Sequence, residues 1–345
     1  MGTIMGNHVQ YKPEWIREDF VDFIAEKIHP IWAWKKIKAQ LIARKALSDD
    51  FIQLQLRPNQ NFRPEIAQAG QSLLLTVVIA GVRQQRSYSI VDILDNGDVL
   101  IAIKQQGSVS RAVTNLALGA VIEISQAQGE FVFKPQSSQA SLFLASGSGI
   151  TAIYALVKQA LKSTEHPIDL IYFTRDNAYH AELEVLAAQY PQFKYHSFNT
   201  LKNKQHVSES LLQQLVPDYQ QRECYACGAN NMMKHVQQLY ADQSISHLLK
   251  TEYFKIQIDQ TLEAQPVTFL RAQQEFLATD NLLESAEKAG LKPAHGCRMG
   301  ICNTCSCTKV QGVVRNVLTG EIDEQCNTQI KLCISQAISP VVINL

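Results

Sequence analysis

The sequence lacks any apolar run of the roughly 18 residues that a membrane-crossing helix needs. Its longest, Leu73–Val82, is strand-sized, so no segment reads as a spanning helix. It also lacks a charge excess: 32 Lys and Arg stand against 32 Asp and Glu, which argues against a nucleic-acid partner. There are no internal repeats or low-complexity tracts, and no export signal opens the chain, so the expected compartment is the reducing cytosol. Tryptophan is scarce, and all three, Trp15, Trp32 and Trp34, fall in the first 35 residues. What is present in ordinary amounts, 46% hydrophobic and 19% charged residues, fits a soluble globular protein, and 345 residues exceed one comfortable core, so two or three domains are expected.

Cysteine is not scarce. Of eight, Cys297, Cys302 and Cys305 stand in C-x4-C-x2-C spacing, the ligand pattern of plant-type [2Fe–2S] ferredoxins, which move single electrons. Gly300 and the small or polar Asn303, Thr304 and Ser306 let the loop turn its N–H groups toward the sulfurs. For the fourth ligand Cys333, after 27 intervening residues from Cys305 and at the start of an apolar stretch, is preferred over Cys326 in its polar loop, and Cys307 reads as a bystander. Zinc is the rival, because Cys224-x2-Cys227 and Cys302-x2-Cys305 imitate a paired CxxC site. The gap between them is too long for a zinc ribbon, and residues three apart on a strand face opposite sides.

Along the chain the pattern changes three times. Residues 13–29 read as a helix opened by Pro13 and closed before Pro30, with Ile16, Phe20, Phe23, Ile24 and Ile28 at helical spacing. From about Lys36 to Lys134 short alternating runs, from KIKAQLIARKAL to EFVF, suggest an antiparallel β-barrel. From Ser141 strands alternate with helices, as in a parallel α/β sheet. A compact mixed segment after Glu263 carries the cysteine loop.

In the barrel, Arg86-Ser87-Tyr88-Ser89 offers a cation for phosphate, an aromatic ring and a hydroxyl for a flavin. Gly107-Ser108-Val109-Ser110, after Gln106, offers a turn suited to a pyrophosphate. In the α/β part a strand runs into Gly147-Ser148-Gly149-Ile150-Thr151, a dinucleotide-type turn at a helix start. The next strand ends at Arg175-Asp176; an acid there favours NADH and an arginine NADPH, and with both present the lean is toward NADPH. Cys227-Gly228 ends a later strand where a nicotinamide could stack on flavin; a buried structural thiol is the plainer use.

Taken in order, these motifs resemble the ferredoxin–NADP reductase superfamily, over roughly residues 35–345. In that family R-x-Y-S binds flavin, a turn ending in G-I-T binds the pyridine nucleotide, and C-G-P lies at the nicotinamide. Arg86, Tyr88 and Ser89, then Gly147, Gly149, Ile150 and Thr151, then Cys227 and Gly228 match these; Ala152 and Ala229 replace the family's prolines. The resemblance implies a flavin-binding β-barrel (35–137), an NAD(P)-binding α/β domain (138–250), a linker (251–263) and an α+β β-grasp ferredoxin domain (264–345). It implies cluster ligands Cys297, Cys302, Cys305 and Cys333, FAD favoured over FMN through Gly129-Glu130-Phe131, and Phe254 of Thr251-Glu252-Tyr253-Phe254 near the flavin. It also implies a reductase passing electrons from NADPH or NADH through flavin and cluster, with no side chain needed as acid or base.

Residues 1–34 form an extension that resembles those of reductases serving membrane-bound fatty-acyl desaturases. A terminal iron-dependent desaturase is thus the first expected partner, with a soluble ring-hydroxylating or epoxidising oxygenase second and a non-enzymatic redox sensor as the remaining alternative. The extension's helix is expected to pack its apolar face on the barrel in preference to touching a membrane at its inner face.

Overall fold

The computed structural model describes residues 18–134, 139–202, 205–254, 256 and 258–345. The part of the expected first helix before Glu18, with Trp15 and Ile16, lies outside the described residues, as does the side chain of Phe20. The helix that follows, α1 (Glu18–Ile28), docks on the barrel, but by its polar side. Asp22, 2% exposed, accepts a hydrogen bond from the Trp34 N–H at 2.6 Å. Glu26 pairs with Lys38, whose ammonium also donates to the carbonyls of Pro30 and Trp32. Phe23, Ile24 and Ile28, expected to face the barrel, are 54%, 44% and 67% exposed. The reason lies in Lys38: a buried ammonium needs oxygen partners, and that need draws the acidic side of α1 inward.

Six antiparallel strands then close a barrel: β1 (Ile37–Ala46), β2 (Phe51–Pro58), β3 (Ser72–Ile79), β4 (Val82–Ile93), β5 (Val99–Lys104) and β6 (Val121–Ile124), in spatial order β1-β2-β5-β4-β3-β6. Alternate residues fill its interior, Leu54 and Leu56, Leu73 and Leu75, Ile101 and Ile103, as a period of two requires. Helix α2 (Ser108–Thr114) begins inside the stretch read as a turn and adds Val109 and Val113 to this core. EFVF is not a strand. Phe131 and Phe133 leave the barrel and pack on Tyr225 and Phe143 of the next sheet, so one apolar cluster spans both domains.

That sheet is parallel, in order β11-β10-β7-β8-β9. Along the chain it is built from β7 (Ser141–Ser146), α3 (Ile150–Ser163), β8 (Ile168–Thr174), α4 (His180–Gln189), β9 (Phe193–Asn199), α5 (Glu209–Leu215), β10 (Glu223–Cys227), α6 (Asn230–Asp242) and β11 (Leu249–Glu252). Helix α3 is buried nearly all round through its first two turns, because one side meets the sheet and the other meets β4 and β5.

The C-terminal part pairs β12 (Gln265–Phe269) with β13 (Gln274–Ala278), then crosses through α7 (Leu282–Lys288), capped by the Asn281 side chain. Strands β14 (Ser306–Gln311), β15 (Val314–Asn316), β16 (Ile322–Asp323), β17 (Thr328–Lys331), β18 (Ser335–Ala337) and β19 (Val341–Ile343) follow. A mixed sheet β13-β12-β19-β14-β17 with α7 against it, and a small sheet β16-β15-β18, make the β-grasp unit. Lys309, fully buried, donates to the carbonyls of Gly312, Asp323 and Gln325 and ties its loops together.

Candidate functional site

The barrel motif and the glycine turn meet at one cavity of about 280 Å³. Arg86, Ser87, Tyr88 and Ser89 of β4 line one wall, Gly107, Ser108, Val109 and Ser110 at the start of α2 another, and Ser148, Thr151 and Phe254 close it from the nucleotide sheet. Ser89 is 3% exposed and makes no side-chain hydrogen bond among the described residues, so its hydroxyl is left for a ligand. Burial pushes the Tyr88 phenol up to about 12, so the ring presents an O–H. Arg86 is held below its usual range by burial and then by Arg298; one of its N–H groups donates to the Gln85 carbonyl. A guanidinium so placed gains most from an anion. Two candidates are otherwise engaged: the Ser87 hydroxyl donates to Ser72, and the Ser110 hydroxyl accepts from the N–H groups of Gln106 and Gly107.

The glycine turn and Cys227-Gly228 touch backbone to backbone. A Cβ on Gly149 would lie 2.0 Å from the Cys227 carbonyl oxygen, and one on Gly228 2.2 Å from Ser146 Oγ. Ser146 Oγ in turn accepts from the Ala229 N–H at 2.7 Å, so the position where the family has proline here carries a used donor. Arg175, at the end of β8, is exposed. Cys227 and Cys224 belong to different cores on opposite faces of the sheet, as the spacing requires.

Glu252 lies level with Cys227 across the β10–β11 pair and is half-buried, and desolvation pushes its carboxyl up to about 7. Burial, then the Glu252 charge, raises the Cys227 thiol well above its usual range, so this cysteine is no thiolate nucleophile. The motif around Glu252 is visible in the sequence; its burial is not.

The cysteine loop folds as two sulfur pairs. The N–H groups of Met299, Ile301 and Cys302 donate to Cys297 Sγ, and those of Cys297 and the Thr304 hydroxyl to Cys302 Sγ. Cys305 and Cys333 bring their sulfurs to 3.2 Å. Arg298 and Asn303 adopt left-handed backbone conformations to make these turns. The partner thiols pull Cys302 and Cys305 below the usual thiol range. Among the described residues no three His, Cys, Asp or Glu side chains converge on a single-ion point. The four cysteine sulfurs, those of Cys297 and Cys302 wrapped in N–H donors, would suit a two-iron cluster. Cys326 is exposed and Cys307 buried on β14.

This loop is seated on the flavin barrel. A Cβ on Gly296 would meet Cys302 Sγ at 2.9 Å and the Gln85 side-chain oxygen at 3.2 Å. Gln85 immediately precedes Arg86 on β4 and is held by a hydrogen bond to Thr76. Arg298 is fixed by Glu287 and His295. The sequence marks none of Gln85, Lys104 or Arg298 as part of a site.

A barrel joined to a parallel nucleotide sheet through a shared cavity defines the class, a two-domain flavin- and pyridine-nucleotide-dependent oxidoreductase. The profile of the oxidoreductase FAD-binding domain matches residues 38–133, and that of the oxidoreductase NAD-binding domain residues 143–238. Through these two domains the chain belongs to the ferredoxin–NADP reductase superfamily and is an NAD(P)H-dependent flavin oxidoreductase of the ferredoxin-reductase type. It is 26% identical over 332 residues to an NADPH oxidoreductase of Mycobacterium tuberculosis, covering 92% of this chain and 86% of that protein. It is 24% identical over 297 residues to the glycine betaine monooxygenase reductase subunit of Chromohalobacter salexigens, covering 74% and 80%. The structure of phthalate dioxygenase reductase, described as modular for electron transfer from pyridine nucleotides to [2Fe–2S], superposes with a TM-score of 0.62 at 22% identity, over 89% of this chain and 97% of that one.

Proposed function

We propose that the chain is the reductase component of a terminal iron-dependent oxygenase system, built as a flavin domain (35–137), a nucleotide domain (138–250), a linker (251–263) and a ferredoxin domain (264–345). The observation that carries this reading is the seat of the cysteine loop on Gln85, one residue from the flavin motif. Arg86 would hold the flavin phosphate, Tyr88 its ring and Ser89 a ring heteroatom, while the backbone from Gly107 to Ser110 would hold a pyrophosphate. The turn Gly147–Thr151 and Arg175 would hold NAD(P)H, with Cys227 and Gly228 beside the nicotinamide and Phe254 against the flavin. Cys297, Cys302, Cys305 and Cys333 would hold the [2Fe–2S] cluster. Bound at these residues, FAD would supply the conversion of two-electron hydride chemistry into single electrons, and the cluster would supply one-electron transfer.

The chain's own residues do the positioning. The Gly149–Cys227 contact fixes the two nucleotide loops against each other. Replacing Cys297 with Ser is expected to abolish cytochrome c reduction while leaving NADPH–ferricyanide turnover within about twofold, since flavin alone reduces ferricyanide. Equal loss of both activities would count against the relay.

The finer reading is that the acceptor is a membrane-bound fatty-acyl desaturase, reached at the inner membrane face through residues 1–34. It is supported by the outward apolar side of α1 and by Trp32 and Trp34, each 50% exposed. No helix among the described residues is long and apolar enough to cross a membrane.

A further inference from the structure

Resting on the nucleotide site proposed above, we infer that an ion pair between the two domains, Lys104 to Asp176, sets the preference of this chain for NADPH over NADH. Asp176 follows β8, the second strand of the dinucleotide unit. An acidic side chain at that place ordinarily accepts from the ribose 2′-hydroxyl and repels a 2′-phosphate. Here each of its oxygens already accepts a hydrogen bond, one of them from a cation. Oδ2 lies 2.8 Å from Lys104 Nζ, and Oδ1 accepts from the Ala178 N–H at 3.1 Å. Its own N–H donates to Thr174 Oγ1, which fixes the turn.

Lys104 is the last residue of β5, so the cation that occupies Asp176 comes from the flavin barrel. The two side chains are only 17% and 15% exposed, so solvent weakens their attraction far less than at an open surface. Asp50, on the loop before β2, lies 3.4 Å from the same ammonium and shares it. Arg175, next to Asp176, points the other way in charge: its side chain is exposed and has no hydrogen-bond or ion-pair partner among the described residues. The strand end therefore presents a free guanidinium, whose planar fork suits a phosphate monoester, beside a carboxylate already satisfied. Sequence alone shows an arginine and an acid side by side with opposite implications. The barrel lysine decides between them.

The test uses the flavin-loaded full chain, with kcat/KM measured for NADPH and NADH and ferricyanide as acceptor. The wild-type chain is expected to favour NADPH by at least about tenfold, and Arg175→Ala to lower that ratio by about tenfold. Lys104→Met exposes the Asp176 charge and is expected to lower the ratio about fivefold or more, and adding Asp176→Asn to it to recover most of the loss. Lys104 also lines the flavin cavity, so flavin content is read from absorbance. If Lys104→Met fails to hold flavin, Asp176→Asn alone decides: a ratio changed less than about twofold fits a carboxylate already neutralised by Lys104, and a rise of about tenfold toward NADPH overturns the inference. A wild-type preference for NADH, or a ratio that Arg175→Ala and Lys104→Met leave unmoved, overturns the inference. Turnover with neither nucleotide by a flavin-loaded wild-type chain overturns the proposed nucleotide site instead.

Discussion

Glu252 shows how one half-buried side chain can report on the site. Its carboxyl is pushed from 4.5 up to about 7 by burial. Below the unfolded value both states are protonated and burial costs nothing. As pH rises toward 7 the unfolded carboxylate ionises first, so stability falls across that window and the full penalty, on the order of 3 kcal/mol, applies above it. Glu252→Gln is thus expected to match the wild type near pH 4.5 and to exceed it in urea unfolding by up to that amount at pH 8. A difference independent of pH would mean that Glu252 is not the desolvated acid described. The cysteines proposed to hold the cluster were legible as candidates, three by their local spacing and Cys333 by the apolar stretch that sets it apart from exposed Cys326. Glu252, Gln85 and Lys104 were not legible as site residues, because what makes each one matter is a partner far away in the chain: Cys227, Gly296 and Asp176.

At the scale of elements, alternation in β2, β3 and β5 gave the barrel from sequence, and the β7–α3 turn gave the nucleotide fold. The start of α2 was hidden because Gly107 and two serines read as a turn, and EFVF looked like a strand because its phenylalanines serve the neighbouring domain's core. The first helix departs furthest from its pattern. Periodicity marks an apolar stripe but cannot say whether a protein surface waits for it, and buried Lys38 claimed the other face. Lys27 lies over the Phe23 ring and Lys35 over Trp34, placing cations at the edge of the exposed apolar side. The full chain is expected to sediment with vesicles of mixed zwitterionic and anionic phospholipid at low salt. Replacing Phe23, Ile24 and Ile28 together with Ser should cut that binding by tenfold or more, since each carries on the order of 1 kcal/mol of apolar transfer energy. Equal binding by both proteins, or none by the wild type, removes the membrane contact.

Across the whole molecule, the barrel is joined to the nucleotide sheet along one boundary and to the cysteine loop along another. The Phe131 and Phe133 cluster locks the barrel to the nucleotide sheet, with Lys158–Asp92 and Lys45–Glu182 as ion pairs across the same boundary. The Gly296–Gln85 seat joins the cysteine loop to the barrel. The order of domains was readable from motifs; their mutual placement was not, because it rests on side chains such as Gln85 that no motif requires. The central claim is that the cysteine loop receives electrons inside this chain. It is tested most directly by anaerobic titration with NADPH, following absorbance and low-temperature electron paramagnetic resonance, for the wild type and Cys333→Ser. The account predicts that the wild type takes up one electron more per chain, seen as the signal of a reduced two-iron cluster. Equal uptake by the two proteins, with no such signal in the wild type, would contradict it.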